Sequence, residues 1–390
     1  MVSGHLQEKR GYYYCVLNYQ DEFGKRHQKW ISTGLTVKGN KKAAEEILMK
    51  ERRNFRPPVS KGVSANMLYA DFVTKVFLPS KKGAVEESTF SGYSQKCKRI
   101  DEYFREKKIT LEKISPMDIQ GFYTKLRESV GATTVHHYHS LMHGALQMAL
   151  KLDLIPYNPA DRIDSPKSSQ YIPEIYTLDE MERMLGAVKD DEIGLLIRMT
   201  AFYGFRRSEV VGLKWSAIDF KNNSITVKHT VVKTTVDGKK TLIKKDRTKR
   251  KASHRTLPLV DSFREELLSL KEKQKDNKKL CGNSYNRDNE DYIFVDAMGN
   301  SFDPDYVTGH FQTLLRRNNF KKIRFHDLRH SSASLLLAAG ISMKQIQEWL
   351  GHSNYSTTAN IYAHLEADSK LEAANALNNV FGFAEEKHAG

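Results

Sequence analysis

The sequence predicts a multidomain, mainly α-helical chain. It opens with a small α+β module made of a short β-sheet and one helix, continues as an all-α bundle, and ends in a larger, mostly α domain with a small antiparallel β-sheet. Three observations carry this reading. Apolar side chains alternate with period two between Gly11 and Leu35, then recur at helical spacing through most of the remaining chain. Stretches rich in Pro, Ser and Lys around 56–62 and 155–175 interrupt that periodicity as linkers do. A length of 390 residues is enough for two or three domains. The expected division is 1–61, 62–165, a linker over 166–175, then 176–370, and a tail over 371–390.

Composition narrows the partners. Apolar residues make up 39% of the chain, enough for several modest cores, and no uninterrupted apolar run has the length a membrane span needs. Met1 to Arg10 is polar and lacks the basic-then-apolar pattern of a secretory signal, so a soluble, cytoplasmic protein with no membrane partner is expected. A net charge of +15 favours a polyanion, most simply nucleic acid, although a surplus of charge also serves solubility. The three cysteines are scattered without CxxC spacing, which fits a reducing compartment and argues against a zinc finger.

In the first module GYYYCVLNYQ and RHQKWISTGL read as strands joined by a turn over Asp21 to Gly24, and Asn40 is expected to cap a helix running through Phe55. Arg26, Lys29 and Trp30 are expected to put basic and aromatic groups on one face of a small sheet, a combination that can enter a DNA major groove. In the bundle Ala70, Val73 and Phe77 share one helical face, and Ile100, Tyr103 and Phe104 share another. Ser115-Pro116 opens a third helix. A fourth runs from about Thr134 to Leu152 with Leu141, Ala145, Met148 and Leu152 inward. His136, His139 and His143 on that helix have metal-like spacing, but no Cys or carboxylate is near in sequence to complete a site. Solvent- or phosphate-facing histidines are therefore expected, with His136 and His139 as candidate DNA contacts and no metal.

The third domain begins at the Thr177/Glu180 capping box. In YGFRRSEVVGLKW, Glu209 lies one turn from Arg206 and can orient it, unless the two form an ordinary surface pair; Arg207 faces elsewhere. Residues 225–259 supply a hairpin, with ITVKHTVV, a turn at Asp237-Gly238, a return strand and a last strand RTLPL. In HDLRHSSASLLLAAG, His326 and Arg329 share a helix face, Leu335, Leu336 and Leu337 are expected to enter the core, and Gly340 stops the helix. Ser342 and Gln345 box the next helix, whose inward face is Met343, Ile346 and Leu350. Gly351 ends it, His352 follows in the turn, and Ser356 or Thr357 opens a helix carrying Tyr362. In the tail Leu371, Ala374, Leu377 and Phe381 form an apolar stripe that must bury itself, in cis or on another copy.

The joint occurrence of GxRxxE, HDLR, LGHS and a following tyrosine, in that order, resembles the tyrosine recombinase (phage integrase) family, in particular integrases of conjugative transposons and temperate phages. The resemblance covers essentially the whole chain; Phe205 stands where Leu is usual. It implies an arm-type DNA-binding module at 1–61, a core-binding bundle at 62–165 and a catalytic domain at 176–370, and a tail that docks on a neighbouring protomer. The implied activity is site-specific DNA strand breakage and rejoining through a 3′-phosphotyrosine intermediate, with no cofactor, metal or ATP. The implied partners are double-stranded DNA at core and arm sites, three further copies of the chain in a tetramer, and accessory DNA-bending or directionality proteins. Tyr362 would be the nucleophile, Arg206 and Arg329 the phosphate clamp, and His326 and His352 hydrogen-bonding proton carriers. Lys249 fits the position of the acid for the leaving oxygen, with Lys244, Lys245 and Lys251 close by.

Three other readings stand beside this one. LLLAAGISMKQIQEWLGHSNYSTT also reads as a helix-turn-helix, so a non-catalytic DNA-binding regulator is the alternative, but it leaves Arg206 and Tyr362 unexplained. HDLRH spaces two histidines as a metallopeptidase does, yet has Asp327 where that motif wants Glu. A transposase using separated carboxylates is poorly served by the contiguous Asp190, Asp191 and Glu192.

Overall fold

The computed structural model describes residues 2–20, 26–55, 64–166, 173–236, 238–246 and 255–351. The chain separates into two compact units, Met1–Gln170 and Tyr171–Gly390.

The first unit begins with an antiparallel sheet of β1 (Ser3–Lys9), β2 (Tyr12–Gln20) and β3 (Arg26–Thr36), in that order, followed by helix α1 (Lys41–Asn54). Strand alternation decides which side chains α1 covers. Tyr19 on β2 and Lys29 on β3 both reach Phe55 at the end of α1, at 5.1 Å each. Arg26 and Trp30, of opposite parity, lie on the other face, where Trp30 is 42% exposed and meets Tyr14 and the Lys9 ammonium. Lys29 therefore does not share a face with Arg26 and Trp30. Asn40 occupies the N-cap position but accepts no capping bond; its amide turns back to donate to Thr36 and Lys38.

The bundle comprises α2 (Tyr69–Asp71), which runs through a π-helical turn (Phe72–Phe77) into α3 (Leu78–Lys81), then α4 (Glu87–Glu106), α5 (Pro116–Arg127) and α6 (Ala132–Lys151). The expected faces converge: Ala70, Val73, Phe77, Ile100, Phe104, Leu141 and Ala145 share one core. Ser115 opens α5 through a capping box with Asp118 and Pro116 in the first turn. The linker expected from Pro156 and Pro159 is not one at that point. Leu154, Ile155 and Ala160 are buried in the bundle core. Asn158, 1% exposed, accepts from Ala160 N and donates to His143 O and Gln147 Oε1, which fixes a 3-10 turn (Pro159–Arg162) against α6.

In the second unit α7 (Leu178–Ala187) starts at the Thr177/Glu180 capping box, followed by α8 (Gly194–Tyr203) and α9 (Arg207–Val211). Strands β4 (Ile218–Asp219), β5 (Ser224–Val227), β6 (His229–Val236), β7 (Lys239–Asp246) and β8 (Arg255–Pro258) come next, then α10 (Asp261–Cys281), α11 (Pro304–Arg317), α12 (Asp327–Ala338) and α13 (Met343–Leu350). The segment ITVKHTVV is divided: β5 pairs with β4 and β8, while β6 pairs with β7 in a separate hairpin. The alternation breaks at consecutive buried His229, Thr230 and Val231, so one sheet face cannot take the whole run. A further departure is α12. Its buried side chains include Asp327, Arg329, Ser331, Ser332 and Ser334, and Leu335 to Leu337 are only half-buried. Ser331 accepts from Tyr176 N and donates to Asp327 O, and Ser332 donates to Phe202 O, so this polar face is stitched to its neighbours by hydrogen bonds. Among the described residues no helix is long and apolar enough to cross a membrane.

Candidate active site

Two tight backbone stops build the site. Helix α8 ends at Gly204, which is left-handed at φ 62° and turns the chain so that Arg206 leads α9. Helix α13 ends at Gly351, also left-handed at φ 67°. A larger residue at Gly204 would force a shift, because a β-carbon there would sit 2.3 Å from Leu350 Cδ2.

Both arginines close on these stops. Arg329, 1% exposed, donates from Nη1 to Gly204 O at 2.5 Å and from Nη2 to Leu350 O at 2.8 Å. Arg206 donates from Nη2 to the next carbonyl, Gly351 O, at 3.1 Å and from Nη1 to Glu209 Oε1 at 2.7 Å. The carbonyl end of a helix carries partial negative charge, which suits two neighbouring guanidiniums. Arg206 keeps 28% of its side chain accessible, so its fork can reach an anion.

Glu209 is no surface pair. It is fully buried, and its Oε2 accepts from Arg206 N and from Nη2 of Arg255, each at 2.9 Å. Burial raises the pKa of a carboxyl, but Arg255, Arg206 and Arg329 more than reverse this and hold Glu209 at about 2. Three guanidiniums thus surround one carboxylate. Arg207 faces away and donates to Pro304 O and Thr308 Oγ1.

His326 sits at the N-cap of α12, its ring 5.0 Å from that of His330. More than a third of the residue is exposed, yet desolvation on its packed side, then His330, Arg329 and Arg206, push its pKa down to about 4. It is neutral near pH 7 and can both donate and accept a hydrogen bond.

Arg206, Glu209, His326 and Arg329 are therefore brought together, while Lys249, His352 and Tyr362, and the tail stripe at 371–381, lie outside the described residues. Arg26, Lys29, Trp30, His136 and His139 belong to the first unit. There the histidine row is paired: His136 with Ser165 at 2.8 Å, His139 with Tyr123 at 3.0 Å, and His143 with Asp161 at 2.7 Å. Asp161 is the carboxylate that sequence proximity did not reveal. Among the described residues no group of three or more His, Cys, Asp or Glu is arranged to hold a metal ion. The sequence reading missed Arg255, although period two places it on the inward side of its strand with buried Leu257 and Leu259.

The description "Phage integrase family" matches residues 174–369, and "Phage integrase, N-terminal SAM-like domain" matches 71–127. The chain is 28% identical over 69% of its length to a tyrosine recombinase XerC-like protein of Caldanaerobacter subterraneus subsp. tengcongensis, covering 72% of that protein. It is 23% identical to the transposase from transposon Tn916 of Enterococcus faecalis, covering 97% of this chain and 95% of that one. Its fold is similar to that of the Tn1549 transposon integrase solved in complex with a circular intermediate DNA. That match has a TM-score of 0.64 and 20% identity, over 79% of this chain and 99% of that one.

Proposed function

The chain belongs to the phage integrase family, and from that membership and the geometry of its arginines we propose that it cuts and rejoins DNA strands through Tyr362. It is a tyrosine-type site-specific DNA recombinase. The observation that supports the assignment of roles is the convergence of Arg206 and Arg329, from distant segments, on adjacent carbonyls at the end of α13.

The two guanidiniums hold the non-bridging oxygens of the scissile phosphate, where a planar fork matches two oxygens and stays charged. A free tyrosine phenol has a pKa near 10, with only about a thousandth as phenolate at pH 7, so a tyrosine nucleophile needs nearby cations to favour its ionised form. Its oxygen attacks phosphorus, the bond from phosphorus to the 5′ oxygen breaks, and Lys249 supplies the proton to that oxygen. His326 and His352 hydrogen-bond the phosphate while the proton moves. The product is a 3′-phosphotyrosyl strand and a free 5′ hydroxyl. The ester keeps the energy of the broken bond, so attack by a second 5′ hydroxyl reverses the step on a new strand.

The segments 1–61 and 62–165 engage arm and core sites on double-stranded DNA, with Arg26 and Trp30 on the sheet face that α1 leaves open. The protein acts in the cytosol as a tetramer on DNA, assisted by DNA-bending or directionality proteins. Incubation with a nicked duplex from a candidate recombination site, in EDTA, should give a protein–DNA band that survives SDS. Tyr362→Phe should bind DNA equally and give no such band. A covalent adduct from that variant would overturn the choice of nucleophile.

A further inference from the structure

Strand transfer by these groups leaves one buried cation without a task. Arg255 leads β8 at 8% exposure, on the strand face shared with Leu257 and Leu259. A guanidinium there is costly to enclose unless it is paired. Its Nη2 donates to Glu209 Oε2, its guanidinium carbon lies 5.8 Å from the centre of the Phe205 ring, and its Nε and Nη1 find no hydrogen-bond partner among the described residues. Glu209 is therefore gripped from two sides, by Arg206 from its own turn and by Arg255 from the sheet.

We propose that Arg255 is a positioning residue for strand transfer, gripping from β8 the carboxylate that aims Arg206 at the DNA phosphate. The inference rests on the recombinase reading. Among the described residues the cations that act on Glu209 include Arg206, which leads α9, Arg329 from α12 and Arg255 from β8, and Arg255 opposes the burial cost most strongly. Without it a fully buried carboxyl loses the cation that best opposes its burial, and desolvation moves it toward the neutral acid. A protonated Glu209 offers Arg206 a weaker, uncharged acceptor, so the fork loses its fixed direction.

The test compares wild type with Arg255→Met and Arg255→Lys, measuring covalent adduct formation on a nicked duplex from about pH 5.5 to about pH 8.5, with DNA binding followed in parallel. Wild type shows no acid limb from Glu209 in this window. Arg255→Met should bind DNA normally, form adduct roughly tenfold more slowly at the acid end, and return to within roughly threefold of wild type at the alkaline end. Arg255→Lys keeps the charge but not the fork, and should be slower at every pH without an acid limb. A profile for Arg255→Met parallel to wild type, whatever its height, overturns the proposal. If Arg255→Met does not fold, Arg255→Lys decides: wild-type rate or a new acid limb overturns it. If wild type itself forms no adduct, the recombinase reading fails first and takes this inference with it.

Discussion

Replacing Gly204 with alanine is the sharpest test of how the arginine clamp is held. The position is left-handed, a conformation costing an L-residue about 1–2 kcal/mol. The added methyl would lie 2.3 Å from Leu350 Cδ2, and Leu350 is fully enclosed with Ala333 and Ile346, so its side chain has little room to retreat. Overpacking of this kind costs about 1–3 kcal/mol. The two contributions together give about 2–5 kcal/mol, which for a unit of this size corresponds to a fall in Tm of roughly 5–20 °C. The same methyl disturbs both carbonyls that hold Arg329, since one belongs to residue 204 and the other to Leu350. Gly204→Ala should therefore lower adduct formation by about tenfold or more at temperatures where the protein remains folded. Thermal unfolding by circular dichroism, with adduct assays well below the midpoint, separates the two effects. A variant within about 2 °C of wild type, with unchanged cleavage, would refute the coupling of this turn to the clamp.

His330 is pushed down to about 4, first by burial and then by Arg329 and Arg324, against the pull of Asp327. Its folded pKa lies below the ordinary value near 6.5, so the unfolded chain takes up a proton that the fold refuses. Unfolding free energies from urea titration should fall as the pH drops from about 6.5 to about 4, with His330 contributing at most about 1.4 kcal/mol for each pH unit beside the share of His326, and His330→Gln should flatten the fall. An unaltered pH dependence in that variant would contradict the burial argument. In the first unit Asn158→Ala removes a buried amide that joins the Pro159 turn to α6, and should cost about 1–3 kcal/mol in chemical unfolding of the full chain. A loss below about 0.5 kcal/mol would mean that the turn is held by apolar packing alone.

Local patterns were the legible part. Thr177 with Glu180 and Ser342 with Gln345 are boxes spanning three residues, and the structure contains both. Left-handed stops at Gly340 and Gly351 were legible for the same reason, since only nearby residues decide them. Partners chosen across the chain were not. ITVKHTVV has strand character throughout, but its division between two sheets depends on β7 and β8. Leu335 to Leu337 suggest a leucine face turned inward on the helix with Arg329, whereas its serines are the buried side, with Ser331 and Ser332 bonded to the main chain of Tyr176 and Phe202. Asn40 has the residue type and place of a cap, yet its side chain directs its amide nitrogen to Thr36 and Lys38 and leaves the helix N–H groups without its oxygen. Lys29 was grouped with Trp30 although adjacent strand residues point to opposite faces, a geometric fact the sequence already contained.

Arg329 leans on two peptide oxygens, which every amino acid carries, and Arg206 on a third beside the Glu209 carboxylate. Exchanging the side chain at 350 for another that fits would leave its acceptor in place. The path of the main chain thus carries much of the cation pair, and its weak point is Gly204, where a β-carbon would meet Leu350.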